Sequence, residues 1–123
     1  MNFNRIRISS DTTSKLKYLK MKTGLTPNYL ARIGFCLSLA EYGLPDTTIY
    51  DEDGQEFNRH TLTGDYDLLF MAALRERMIK DGLDTESELL SQFKGHINRG
   101  VSLLNTRVKS IPDFYELLNH QNF

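Results

Sequence analysis

The sequence predicts a mainly α protein with a little β: a ribbon-helix-helix-like N-terminal module, then a hairpin, then a helical C-terminal part. Three observations predict it. The first forty residues read as strand, helix, tight turn, helix. Two short β-like runs flank Asp53-Gly54. From position 65 onward, apolar residues recur at helical spacing. The whole of 1–123 is expected to form a single domain, with a basic strand-helix-helix module at 1–43, a hairpin and connector at 44–64, and an acidic helical part at 65–123.

Each element has a local reason. Phe3-Asn4-Arg5-Ile6-Arg7-Ile8 alternates, with Ile6 and Ile8 on one face and Arg5 and Arg7 on the other, the period of a strand. Ser9-Ser10-Asp11 supplies side-chain oxygens for the orphan amides of a first helical turn. Leu16 and Leu19, with Tyr18 beside them, form a partial apolar stripe up to Thr23, and Gly24 fits a helix C-cap. Pro27 suits the first position of a second helix, strongly apolar through Leu30, Ala31, Ile33, Phe35, Leu37 and Leu39, running to about Tyr42 and closed by Gly43. A lone strand has two unpaired edges, so the module is expected to pair its strand with a second copy. That makes a homodimer the minimum and leaves room for a tetramer.

Pro45 ends the first module. Thr47 to Tyr50 and Gln55 to Asn58 are expected to pair across Asp51–Gly54, since Asp-Gly between such runs is a hairpin signal. Asp51-x-Asp53-Gly54 echoes part of a calcium loop, but the remaining ligands and the closing glutamate are missing, so no metal site is expected. Asn58 to Gly64 is a polar connector. Asp65 to Asp81 is a helix whose stripe is Tyr66, Leu69, Phe70, Ala73, Leu74 and Met78, with Arg75, Glu76, Arg77 and Lys80 off it. A further helix opens at Asp84 or Thr85, where Thr85-x-x-Glu88 has capping-box spacing. Its stripe is Leu89, Leu90, Phe93, Ile97, Val101, Leu104 and Val108. Gly95 and Gly100 interrupt it, for a close helix approach or a bend, at about 1 kcal/mol each relative to Ala. Pro112 begins a short last helix with Phe114, Leu117 and Leu118 inward, and Asn119 to Phe123 is expected to fray.

Charge is distributed unevenly. Residues 1–40 hold seven Lys and Arg and one acid, a formal charge of +6, whereas the remaining 83 residues hold eight bases and fifteen acids, or −7. A net charge of −1 conceals this split. A basic half joined to an acidic half points to a polyanion-binding face, and the candidate DNA contacts are Arg5, Arg7, Lys15, Lys17, Lys20 and Lys22. Four lysines in one helix suit phosphate contact, because a lysine is a point charge and arginine is the usual bidentate reader of bases. No apolar run approaches the roughly 20 residues of a membrane helix, and the N-terminus lacks a signal-peptide core, so a cytoplasmic location is expected. Cys36 is the only cysteine. It excludes an intrachain disulfide framework and reads as a small buried hydrophobe.

The pattern demands no enzyme. There is no Gly-x-Ser-x-Gly elbow and no phosphate-cradling glycine loop, and His60, His96 and His120 show no metal spacing. No cofactor, metal or catalytic residue is therefore expected. A second polar group remains: Asn58, Arg59 and His60 in the connector, and His96, Asn98 and Arg99 within an apolar-striped helix. These six are expected either to bond one another and fasten the connector to the helix, or to form a functional pocket.

Phe57-Asn58-Arg59-His60-Thr61-Leu62-Thr63-Gly64 and His96-Ile97-Asn98-Arg99-Gly100-Val101, with Ile6-Arg7-Ile8-Ser9 and the length, resemble the DNA sulfur modification protein DndE family over nearly the whole chain. The resemblance implies a role in DNA phosphorothioation, in which sulfur replaces a non-bridging oxygen of the DNA backbone. It implies a small DNA-binding accessory factor acting beside a cysteine desulfurase, an iron–sulfur protein and an ATPase-like protein. It further implies contact with duplex backbone, including nicked duplex, rather than base readout. Two alternatives stay open on the residues alone. One is a ribbon-helix-helix repressor or antitoxin; the other is a DNA-nicking enzyme using His60 or His96.

Overall fold

The structure, a computed structural model, describes residues 3–108 together with Tyr115, Glu116 and Asn119. The expected last helix with Pro112, Phe114, Leu117 and Leu118, and the position of His120, lie outside the described residues. The element order is β1 (Arg5–Arg7), α1 (Ser10–Thr23), α2 (Pro27–Ala40), β2 (Glu56–Asn58), α3 (Arg59–Thr63), a 3₁₀ turn over Gly64–Tyr66, α4 (Asp67–Lys80) and α5 (Leu89–Arg107). The fold is mostly helical with one small antiparallel sheet, as the sequence predicts.

The first module forms its strand and two helices in the expected order, with β1 confined to Arg5–Arg7 and α2 ending at Ala40, capped by Glu41 and not by Gly43. The Ser9 hydroxyl accepts the Thr12 amide and starts α1. Gly24 ends it at φ 75°, a left-handed conformation that only glycine adopts without strain, and its amide reaches the Lys20 carbonyl. Pro27 then opens α2.

The strand partner differs from the expectation. β1 pairs within the same chain, antiparallel with β2, in the register Arg5 opposite Asn58, Ile6 opposite Phe57 and Arg7 opposite Glu56. Ile6 and Phe57 are buried together, while both flanking pairs face outward. The predicted hairpin is therefore absent among the described residues. Thr47 to Tyr50 turns away instead and lies on α5: a Cβ on Gly95 would stand 2.9 Å from Thr47 Cγ2. Residues 51–55 dock on the start of α1. Asp51 accepts both the Ser10 amide and the Ser10 hydroxyl at 2.9 Å, and the Thr13 hydroxyl accepts the Gln55 amide. The calcium-loop echo is thus a helix-capping carboxylate. Hydrogen bonds from the Ser10 and Asp53 amides and the Ser10 hydroxyl hold Asp51 below the usual carboxylate range. β2 takes one edge of β1, so the sheet forms within one chain and not by the strand pairing between copies that the sequence predicts.

The core lies where α2 crosses α5. Phe3, Phe35 and Phe93 stack at its centre, with centroid distances of 5.4 Å for Phe3–Phe93 and 5.3 Å for Phe35–Phe93. The α5 stripe is buried as expected from Leu89 to Val108, with Leu90 partly so. Gly34 and Gly100 let the two backbones touch, because a Cβ on Gly100 would lie 1.7 Å from the Gly34 carbonyl oxygen. Close approach, not a bend, is what Gly100 provides. α5 starts at Leu89 and not at Asp84 or Thr85: residues 85–88 form a turn in which Glu88 accepts the Asp84 amide, and Thr85 is not its partner. The α4 stripe is rotated. Met71, Leu74 and Met78 are buried, whereas Tyr66 and Leu69, expected inside, are exposed together with Leu68 and Ile79. No helix among the described residues is long and apolar enough to cross a membrane.

Candidate nucleic-acid interface

Of the basic residues in the first forty, four are engaged by the protein itself. Arg5 and Arg7 both lie beside Glu56, at 3.6 and 3.5 Å, because the β1–β2 register brings the acid across from Arg7. Arg7 also donates to the Gly54 carbonyl at 3.0 Å. Lys15 lies over α5, bonded to Asp11 at 2.7 Å and to the Ser102 hydroxyl at 3.0 Å. Arg32 donates to the Leu62 and Thr61 carbonyls and stacks on Tyr29.

Lys17, Lys20 and Lys22 differ. All three are exposed on α1, and among the described residues none is paired with a carboxylate. The buried side of the helix is Thr12, Leu16 and Leu19, so Lys17 lies on the far side and Lys20 and Lys22 lie on the two flanks. Lys20 and Lys22 lie in the last turn, where cations also favour the helix dipole. Lys22 Nζ stands 5.2 Å from the centre of the Tyr18 ring. The exposed α1 surface therefore carries three lysines without a carboxylate partner among the described residues, Lys22 on the flank facing α5, and the arginines of β1 form a partly compensated margin.

The two polar motifs do not meet. Asn58 caps α3, accepting the His60 and Thr61 amides. Arg59 makes a forked pair with Asp67 at 2.9 Å through both Nε and Nη2, stacks on Phe3, and donates to the Phe3 carbonyl. Burial acts to raise the Asp67 carboxyl, but Arg59 and the Thr63 hydroxyl outweigh it and hold it below the usual range. His60 is exposed, 3.9 Å from Asp67. The α5 motif fastens other parts. Asn98 accepts the Ser9 amide at 3.1 Å. Arg99 donates to the Ser38 hydroxyl and carbonyl, both at 2.8 Å, and to the Gly43 carbonyl at 2.9 Å. His96 Nδ1 shares the Ser38 hydroxyl at 2.8 Å. Fully buried, with Arg99 and Arg77 nearby, His96 is pushed down to about 3 and is neutral at ordinary pH. Among the described residues no hydrogen bond or ion pair joins the two motifs: α5 turns its polar side to the end of α2 and to Ser9.

Arg77 joins this seam unannounced by the helical period. It folds over the end of α2, donating to the carbonyls of Leu39 and Glu41 at 2.7 Å and of Gly43, with Asp81 bonded to its Nε. Ser38, a hydroxyl among the apolar residues 33–40, is the sequence signal that the end of α2 receives polar partners. Among the described residues, no three His, Cys, Asp or Glu side chains converge as metal ligands. Cys36 is half-buried, and burial raises its thiol.

Sequence comparison matches residues 5–111 to the family described as DNA sulphur modification protein DndE. The chain belongs to the DndE family. Its fold is similar to the crystal structure of DndE from Escherichia coli B7A, described as involved in DNA phosphorothioation modification. That likeness has 27% identity and a TM-score of 0.69, and covers 85% of this chain and 98% of that one. It is also similar to a DndE mutant with lysine in place of two glycines, described as involved in DNA phosphorothioation, at 25% identity, a TM-score of 0.67 and coverage of 85% and 99%. No curated protein sequence matches the chain. The DndE motifs read from the sequence fall on the β2–α3 junction and on the α2–α5 seam, so the residues that carry the resemblance build the fold around α1.

Proposed function

We propose that this chain is a DNA-binding accessory factor of DNA phosphorothioation and not an enzyme, and that it holds duplex backbone, nicked duplex included, through Lys17, Lys20 and Lys22. Arg5, Arg7 and Lys15 form the margin of that surface. The observation that carries the reading is the three exposed lysines of α1 that have no carboxylate partner among the described residues, in a family described by DNA sulphur modification. Phosphate contacts of this kind give affinity and register with little sequence information. A ribbon inserted in the major groove is disfavoured, since Glu56 sits among the outward arginines of the sheet.

The partners proposed are duplex DNA and the other proteins of the modification system: the ATPase-like protein, the iron–sulfur protein and the cysteine desulfurase. Action in the cytoplasm belongs to the same reading. A homo-oligomer, a dimer at minimum with room for a tetramer, would gather the basic surfaces of several copies. The exposed Leu68, Leu69 and Ile79 side chains on α4 support association there.

The test is binding of labelled intact, nicked and single-stranded DNA, with particle mass measured in parallel. If one copy neutralises three phosphates, duplex affinity falls roughly 40-fold between 50 and 200 mM salt. A flat salt response contradicts backbone contact.

A further inference from the structure

A cavity of about 110 Å³ lies between α5 and residues 47–52, walled by Arg7, Tyr50, Asp51, Glu52, Lys94 and Asn98. That is below the size of a site for a drug-sized molecule and suits an ion or one small group. Asn98, only 3% exposed, is one wall. The Ser9 amide is a donor, so the end of Asn98 that meets it, at 3.1 Å, is the oxygen. Asn98 Nδ2 is therefore turned away from Ser9, and it makes no hydrogen bond among the described residues. It is not sealed in. Among the described residues, the buried side-chain atoms with neither partner nor accessible surface are Gln92 Oε1, His96 Nε2 and Asn105 Oδ1, so Asn98 Nδ2 keeps some surface, and the cavity is what it lines. Two N–H donors stand there on a rigid helix without an acceptor. Lys94, one turn earlier on α5, brings an ammonium to the same cavity, and Tyr50 adds a half-buried hydroxyl.

The acids at this cavity do not use those donors equally. Asp51 gives its oxygens to the Ser10 amide and hydroxyl. Glu52 is bonded to Lys94, but the two ends of that pair differ: the Lys94 side chain is 19% exposed and the Glu52 side chain 65%. The carboxylate can swing into water while the ammonium stays at the cavity. Arg7, partly compensated by Glu56, adds positive charge to the wall. An amide, a hydroxyl and an ammonium on separate residues need an acceptor with more than two oxygens, which a tetrahedral oxyanion supplies and a carboxylate does not. We propose that this cavity binds a phosphate group, held by Lys94 Nζ and Asn98 Nδ2, and that Glu52 occupies the ammonium until the phosphate displaces it. The phosphate is either free or carried by DNA. The site lies apart from the exposed lysines of α1 and does not need them.

The experiment follows the Asn98 side-chain NH2 signals by NMR while inorganic phosphate is added to the isotope-labelled protein at constant ionic strength. The signals shift and saturate with a Kd on the order of 1 mM, the scale of a few polar contacts to a small ion. Lys94→Gln weakens binding about tenfold, the loss expected for one charged hydrogen bond. Glu52→Gln tightens it about threefold by removing the competitor, a gain that unfolding cannot produce. Thermal melting establishes that both variants keep the fold. Dimethyl phosphate, a model of the DNA backbone, separates the two sources: it displaces inorganic phosphate if a backbone phosphate enters the cavity, and fails to if only a free or terminal phosphate does. Unmoved Asn98 signals overturn the proposal, as does acetate binding as tightly as phosphate. An affinity unchanged by Lys94→Gln overturns it too, and one unchanged by Glu52→Gln overturns the displacement. Duplex binding without phosphate binding removes this site and leaves the α1 reading standing; phosphate binding without duplex binding does the reverse.

Discussion

Two regions of this molecule hold comparable numbers of positive charges and use them in opposite ways. At the α2–α5 seam, Arg77 and Arg99 spend their donors on the carbonyls of residues 38–43, and a neutral His96 completes the contact. On α1, Lys17, Lys20 and Lys22 have no carboxylate partner among the described residues. The difference teaches where function can reside. A guanidinium that satisfies buried carbonyls cannot leave them without stranding polar groups, whereas an exposed ammonium can exchange water for phosphate at little cost to the fold.

The comparison is best broken at the seam, where the largest effects are expected. Gly100→Ala drives a methyl group into the Gly34 carbonyl, so the helices must separate. Urea denaturation should show a loss of about 3 kcal/mol, the upper end for overpacking. A loss below 1 kcal/mol would mean the crossing is looser than its geometry.

Arg99→Ala should cost about 2 kcal/mol, since it strands the Ser38 and Gly43 carbonyls. Its DNA affinity, measured well below the melting temperature, should match the unsubstituted protein. A folded Arg99→Ala protein that has lost only DNA binding would move Arg99 from the seam to the interface.

His96 makes the same point through pH. Its folded value of about 3 lies below the ordinary 6.5, so the unfolded chain binds a proton that the folded chain refuses. Stability is then unaffected above pH 6.5 and declines as pH falls from there toward 3. At pH 5 the loss from this residue is about 2 kcal/mol, and His96→Gln should remove that part of the decline. An unchanged pH dependence in the variant would show that His96 is not held neutral.

How much of this was legible in the sequence depends on the range of the forces involved. Ser9, Gly24 and Pro27 act on their own neighbours, and α1 and α2 were readable to within a few residues. The α5 stripe was also clear, because its apolar residues alternate with polar ones. The α4 stripe was not. Residues 68–74 are all apolar, so the period does not fix its phase, and only packing on α2 and α5 selects Met71 over Leu69. The hairpin failed for a related reason. Asp53-Gly54 is a local signal, but β1 offers Gln55–Asn58 a buried partner in Ile6, and the acids find amides at the start of α1. Composition located the basic stretch but not which of its charges stay open, because Glu56 and Ser102 reach them only through the fold, while Asp11 meets Lys15 at the local i,i+4 spacing of α1.

The smallest effect on stability belongs to the residues with the largest proposed effect on binding. Lys17→Glu, Lys20→Glu and Lys22→Glu together should destabilise by about 1 kcal/mol, chiefly through the helix dipole. Duplex binding by this triple variant, measured by anisotropy at low salt beside the unsubstituted protein, tests the central claim most directly. The exposed lysines of α1 predict complete loss of measurable binding in a protein that still melts cooperatively. Undiminished binding by that folded variant would contradict it.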